Sequence, residues 1–128
     1  MILDSSAIVA VMLDEPERAE FLEKIDAAEL VAIAAPTLTE AGIVLSARMG
    51  DGALDALEAL LNAAEAVVIE FGSDHWRVAV EAWDRFGRGH HPAGLNLGDC
   101  LAYAVARVAG LPLLAKGDDF PRTDIDLA

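Results

Sequence analysis

The sequence predicts an α/β protein with a central parallel sheet of about four to five strands, sandwiched by helices. Short apolar runs alternate with longer stretches of helical spacing along the whole chain, which is the order that a parallel sheet requires. The runs are also apolar at every position, as in VAIAA at 31–35, and strands buried on both faces have that composition.

Composition fits one folded domain over residues 1–128. Hydrophobic residues make up 55% of the chain, which argues against disorder, and no apolar run is long enough to span a bilayer. No positively charged segment precedes Asp4, so we expect neither a signal peptide nor a membrane partner. The single cysteine, Cys100, excludes an intrachain disulfide and fits a cytoplasmic protein.

The formal net charge of −13 indicates which partners the chain would bind. It argues against broad, non-specific binding to nucleic acid and favours a basic protein partner. The objection to nucleic acid weakens where carboxylates gather, because divalent cations bound there reverse the local charge.

The apolar runs predict four strands and a fifth at the edge: Met1–Asp4, Leu30–Ala35, Ala66–Glu70, Pro112–Ala115 and Asp124–Leu127. A helix over Ser5–Leu13 follows the first strand. A second helix starts near Pro16, because proline suits the first turn of a helix. Helical spacing then predicts helices over Thr37–Met49 and Asp51–Glu65.

Two further helices follow the third strand. Ser73 or Asp74 would cap a helix that runs to about Arg85, and three of its apolar side chains would anchor it in the core or in a protein interface: Trp76, Val80 and Trp83. The loop Gly87–Leu95 separates this helix from another over Asn96–Ala109.

Carboxylates follow the ends of the predicted strands, where open parallel sheets bind their ligands. Asp4 ends the first strand, and Glu40 lies shortly after the second. Asp99 lies in the first turn of the helix that leads into the fourth strand, and the turn KGDDF (116–120) follows that strand. Four segments therefore direct acids toward one edge of the sheet.

Each acid also has a purely structural interpretation. Helix capping would explain three places: Asp4, the pair Thr37 and Glu40, and the pair Asn96 and Asp99. Asp118 and Asp119 would be turn residues. Their convergence favours a metal site, because like charges at close range are costly unless a cation or proton compensates them. Mg²⁺ and Mn²⁺ prefer such hard oxygen ligands.

Four segments match a known family in their order and spacing, over almost the full chain: MILDSSAIVAVML, PTLTEAGIVLSAR, LNLGDCLAYAVAR and LLAKGDDFPRTDI. The chain resembles the PIN-domain ribonucleases, and more closely the VapC toxins of bacterial toxin–antitoxin pairs. The resemblance implies a PIN-like fold over 1–128 and Mg²⁺- or Mn²⁺-dependent endoribonuclease activity. It also implies a homodimer that a VapB antitoxin, encoded alongside, neutralises.

The same resemblance implies four acidic site residues: Asp4, Glu40, Asp99 and Asp118, with Asp119 as the alternative to Asp118. Asp4 and Asp99 would hold the metal most directly. Glu40 would bind it through water or act as the base, and the fourth acid would place a second metal or the attacking water. Three polar residues would support these ligands: Ser6, Asn96 and Lys116.

Positive charge for RNA would come from side chains near the cleft: Arg85, Arg88, His90, His91, Lys116 and Arg122. The adjacent histidines lack a third ligand nearby in sequence, so we expect no zinc site. The helices Thr37–Met49 and Asp51–Glu65 carry more apolar surface than one core face needs. This surplus predicts that they contribute to a dimer interface.

Three alternative functions remain open. A receiver domain needs an acid pair after strand one and an aspartate after strand three, but the chain offers Asp4 alone and Glu70. A haloacid-dehalogenase-like phosphatase needs D-x-D after strand one, and Ser6 stands at the second position. A PIN-type module that binds RNA or protein without cutting is the third, although all four acidic positions are filled.

Overall fold

The computed structural model describes residues Met1–Ala128 and contains a four-stranded parallel sheet. Its strands are β1 (Ile2–Leu3), β2 (Ala32–Ala34), β3 (Val67–Ile69) and β4 (Leu113–Leu114). They lie in the order β3-β2-β1-β4, so β1 and β2 are internal. The predicted α/β class is therefore confirmed. The predicted edge strand Asp124–Leu127 is wrong, because only a single bridge joins Leu127 to Leu113.

Six α-helices cover the sheet: α1 (Ser5–Met12), α2 (Arg18–Asp26), α3 (Ala35–Met49), α4 (Ala53–Ala63), α5 (Trp76–Phe86) and α6 (Leu97–Ala109). A 3₁₀ turn over Phe120–Arg122 follows the last strand. None of these helices combines the length and the apolar character that crossing a membrane requires.

Successive strand residues enter two different cores, as the period of a strand dictates. One core lies under α5 and α6 and receives Ile2, Ala32 and Leu113. The other lies under α1, α2, α3 and α4 and receives Leu3, Ile33 and Leu114. Burial on both faces explains why these strands are apolar at every position.

Two predicted helix starts are wrong. Helix α3 begins at Ala35, so the predicted capping box of Thr37 and Glu40 does not form, and Pro36 lies in the first turn where its fixed φ fits. Thr37 is buried instead, and its Oγ1 has no partner. Neither Ser73 nor Asp74 caps α5, which starts later, at Trp76.

The predicted anchors of α5 do not lie in the core. They are about half exposed: Trp76, Val80 and Trp83. The core face of α5 consists of other residues: Ala79, Ala82 and Phe86. Helical spacing groups residues on one face, but only the tertiary packing determines which face is buried. The alternative interpretation of the two tryptophans, a protein interface, remains a prediction.

Candidate active site

Asp4 lies at the carboxyl end of β1, and the structure shows the capping role that the sequence predicted for it. Its side chain caps α1, since Oδ2 accepts hydrogen bonds from the Ser6 amide at 3.0 Å and from the Ser6 hydroxyl at 2.5 Å. The residue is only 3% exposed, and its Oδ1 is buried without any partner. Burial raises the pKa of Asp4, the bonds from Ser6 oppose the rise, and the charge of Glu40 adds to it.

Asp99 is held in the first turn of α6 by the capping box that its spacing predicts. The Asp99 amide donates to Asn96 Oδ1 at 3.0 Å, and the Asn96 amide donates to Asp99 Oδ2 at 2.8 Å. This box fixes the carboxylate at the helix start. The neighbouring Cys100 is buried, as predicted, and burial raises the pKa of its thiol to about 11.

Glu40 lies against the first turn of α6, which brings α3 and α6 together at the site. A methyl group added at Gly98 would lie 2.7 Å from Glu40 Oε2 and 2.9 Å from Oε1. Glycine at this position therefore makes room for the carboxylate. Together the two helices line an open cavity of about 510 Å³ that includes Thr37, Glu40 and Asn96.

Charge effects show which acids share one electrostatic environment. The pKa of Asp99 rises to about 6, first because of burial and then because of the charges of Asp4, Asp119 and Glu40. Gly117 has a φ of +101°, a left-handed conformation that glycine adopts readily, and it directly precedes Asp118 and Asp119.

Lys116 does not extend freely toward a ligand. Its Nζ lies 2.7 Å from Glu15 Oε2 and 3.0 Å from Glu17 Oε2, and its amide donates to Ser6 Oγ at 2.9 Å. The sequence suggested no role for Glu15 and Glu17, because they lie about a hundred residues from Lys116 and EPE resembles an ordinary helix boundary.

The remaining candidates for RNA contact have mostly intramolecular partners. Arg85 forms an ion pair with Asp124, and Arg122 donates to a backbone carbonyl of the 87–95 loop. The imidazoles of His90 and His91 bond to backbone atoms and pack edge-on against aromatic rings. Arg88 alone among the six is exposed with no side-chain partner.

The donor set fits a hard divalent cation in its chemistry. Asp4 Oδ1 is a buried carboxylate oxygen without a partner, and a second carboxylate beside it has a raised pKa. A cation supplies what both lack, which is a compensating charge. The side chains are not preassembled, because no three His, Cys, Asp or Glu residues form a group with metal-holding geometry.

Comparison with protein families matches residues 1–126 to the PIN domain. Ribonuclease VapC of Mycolicibacterium smegmatis is 40% identical over 126 residues, which cover 98% of this chain and 97% of that protein. Ribonuclease VapC28 of Mycobacterium tuberculosis is 41% identical, over 100% and 97% of the two chains.

Solved structures have the same fold. The M. tuberculosis toxin VapC20, described as cleaving the sarcin–ricin loop, superposes with a TM-score of 0.78 at 19% identity, over 99% and 97% of the two chains. VapBC2 from Rickettsia felis, bound to a promoter DNA fragment, gives 0.79 at 17% identity, over 99% and 96%.

A parallel α/β fold with acids at the carboxyl edge of its sheet thus defines the class of this molecule. The chain belongs to the PIN-domain family, in its VapC branch. This confirms both the family resemblance and the fold that the sequence predicted.

The raised pKa of Asp99 makes its charge costly to the fold, which predicts a stabilising substitution. A folded pKa of about 6, above the ordinary 3.8, means that the contribution to stability is present at low pH and is lost as pH rises through about 6. Without metal, Asp99→Asn should therefore raise the free energy of unfolding by on the order of 1 kcal/mol near neutral pH, and by less at about pH 4.5.

Urea denaturation at the two pH values measures this difference. Asp118→Asn is the matched control, because it removes the same charge at an exposed carboxylate. A destabilised Asp99→Asn at neutral pH would show that the charge is already compensated within the protein.

Proposed function

We propose that this chain is a divalent-metal-dependent endoribonuclease, the toxin of a VapBC-type module acting in the cytoplasm. The observation that carries the proposal is the unpartnered, buried Oδ1 of Asp4, a residue whose charge interacts with those of Glu40 and Asp99. The names of its relatives support the substrate class, since they are ribonucleases.

Asp4 and Asp99 are the proposed direct ligands of Mg²⁺ or Mn²⁺. Asp4 offers Oδ1, and Asp99 offers its second oxygen, because its Oδ2 is engaged by the Asn96 amide. The sequence left the fourth acid open between Asp118 and Asp119. We favour Asp119, since its charge acts on Asp99.

A bound divalent cation supplies Lewis acidity at the scissile phosphate and lowers the pKa of water. Glu40, which is only partly buried, accepts the proton from the attacking water. The fourth acid, in the KGDDF turn (116–120), orients that water. In-line attack breaks the bond between phosphorus and the 3′ oxygen, which takes up a proton from solvent, and leaves a 5′-phosphate on one product and a 3′-hydroxyl on the other.

The proposed protein partner is a basic antitoxin of the VapB type. The net charge of −13 favours a partner of opposite charge. Two structural neighbours are described as toxin–antitoxin assemblies, one from R. felis and one from Klebsiella pneumoniae. RNA contact is assigned first to Arg88, the candidate whose side chain has no intramolecular partner.

The proposed homodimer uses the outer surface of α3 and α4. An open groove of about 510 Å³ lies between these helices, and Ile43 and Leu54 remain 66% and 56% exposed beside it. Contiguous apolar surface of this kind marks protein interfaces. The exposed face of α5, with Trp76, Val80 and Trp83, is the competing location.

Substitution of the acids tests the nuclease and the choice of fourth acid. Asp4→Asn and Asp119→Asn should each lower Mg²⁺-dependent RNA cleavage at least about 100-fold, whereas Asp118→Asn should stay within about threefold of the parent. Gel-resolved initial rates, with EDTA as the metal-free control, measure the effect. RNA binding without any cleavage by the parent would favour the non-catalytic module instead.

Gly98→Ala separates activity from stability. The new methyl group would displace the Glu40 carboxylate, whose flexible side chain can turn away at little cost. We expect cleavage to fall about tenfold or more while the free energy of unfolding stays equal or rises by up to about 1 kcal/mol, because alanine favours helix. Full activity in Gly98→Ala would contradict the role of Glu40.

Light scattering tests the dimer surface. The parent should be a dimer at micromolar concentration, and Ile43→Glu should make it a monomer, since a charge would be buried in the interface. Val80→Glu places the same charge on α5 and serves as the control. Dissociation by Val80→Glu alone would move the interface to α5, and a monomeric parent would refute both locations.

A further inference from the structure

Lys116 is held between two glutamates at the edge of the candidate site. Its Nζ contacts Glu15 Oε2 at 2.7 Å and Glu17 Oε2 at 3.0 Å, and all three side chains are about one-third exposed. The glutamates lie in the turn between α1 and α2, while Lys116 follows β4. This Glu15–Lys116–Glu17 clamp therefore ties the end of β4 to the turn beyond α1.

The backbone of the clamped lysine reaches the candidate metal ligand through one hydroxyl group. The Lys116 amide donates to Ser6 Oγ at 2.9 Å, and Ser6 Oγ donates to Asp4 Oδ2 at 2.5 Å. A serine hydroxyl has a single proton, so a donor at its oxygen helps direct that proton toward the carboxylate. Hydrogen bonds to a charged acceptor are the stronger kind.

The hydrogen-bonded path from the Lys116 amide through Ser6 Oγ to Asp4, called the relay below, also determines which oxygen of Asp4 is free. Oδ2 accepts from both the hydroxyl and the amide of Ser6, whereas Oδ1 accepts from nothing. Asp4 is anchored from its main chain as well, because its amide donates to the Leu114 carbonyl at 2.9 Å, two residues before Lys116. The end of β4 therefore sets both the position and the orientation of this carboxylate.

We propose that Lys116, clamped by Glu15 and Glu17, is a positioning residue that acts through its amide and Ser6 to present Asp4 Oδ1 to the cation. The proposal rests on the proposed function. It assigns the ammonium group of Lys116 to the clamp and removes it from the set of RNA contacts. Groups that orient a metal ligand in this way commonly change metal affinity or activity about 10- to 100-fold when altered.

Mn²⁺ binding to the full chain, followed by electron paramagnetic resonance, provides a readout that does not depend on cleavage. Lys116→Met should weaken Mn²⁺ binding about tenfold and lower kcat, with the KM for RNA unchanged, and Lys116→Arg should restore both. Coulomb attraction alone predicts the opposite sign, since removing a cation near carboxylates favours Mn²⁺. Lys24→Met is the matched control, because Lys24 pairs with Glu20 on α2.

Ser6→Ala tests the relay without any change of charge. It should weaken Mn²⁺ binding by itself, and Lys116→Met should have no further effect in that background, because both act through one hydrogen-bonded path. Ser6→Ala also decides the question if Lys116→Met fails to fold.

Several results would overturn the proposal. If the parent binds Mn²⁺, unchanged or tighter Mn²⁺ binding in Lys116→Met refutes the positioning role of Lys116. Unchanged Mn²⁺ binding in Ser6→Ala refutes it as well. A raised KM with unchanged kcat would show that Lys116 contacts RNA. A parent chain that binds no Mn²⁺ and cuts no RNA refutes the proposed function, and the clamp with it.

Discussion

The constraint on which the structure depends is the burial of the Asp4 carboxylate without a compensating positive charge. Asp4 ends an internal strand, is 3% exposed, and satisfies only one of its two oxygens within the protein. An uncompensated charge in such a place costs free energy, and Glu40 and Asp99 add repulsion. A fold that keeps this arrangement gives up stability, as perturbed carboxylates at functional sites commonly do.

Other elements of the fold place further acids close enough to interact with Asp4 by charge. Parallel pairing aligns the carboxyl ends of β1, β2 and β4, and α3 and α6 then start beside them. At Asp4 and Asp99 one carboxylate oxygen accepts a hydrogen bond at a helix start, and the other is the oxygen proposed to bind the cation. Helix capping is therefore compatible with the proposed ligand role of both acids.

The features that could be predicted from the sequence are local in the chain or carried by the family resemblance. Strand burial, the cap at Asp4 and the box of Asn96 and Asp99 all depend on spacing within a few residues. The capping box predicted for Thr37 and Glu40 does not form, because Pro36 fits the first turn of α3 and the helix therefore starts earlier, at Ala35. The prediction of which side of α5 is buried was wrong, because helical periodicity does not specify which element packs against the helix.

The sequence did not predict contacts between distant positions or distinguish between two adjacent aspartates. The contact of Lys116 with Glu15 and Glu17 joins positions about a hundred residues apart, and no local pattern connects them. Asp118 and Asp119 are adjacent, so the sequence spacing alone does not distinguish them as the fourth acid.

Metal-dependent unfolding of the parent and of Asp4→Asn is the most direct measurement of the central claim. A ligand at about 100 times its Kd stabilises the folded state by about 2.7 kcal/mol, so saturating Mn²⁺ should stabilise the parent by roughly this amount. In Asp4→Asn that increment should disappear, while the metal-free variant should be as stable as the metal-free parent or more so. A parent that gains no stability from Mn²⁺, or an Asp4→Asn variant that gains as much, would contradict the account.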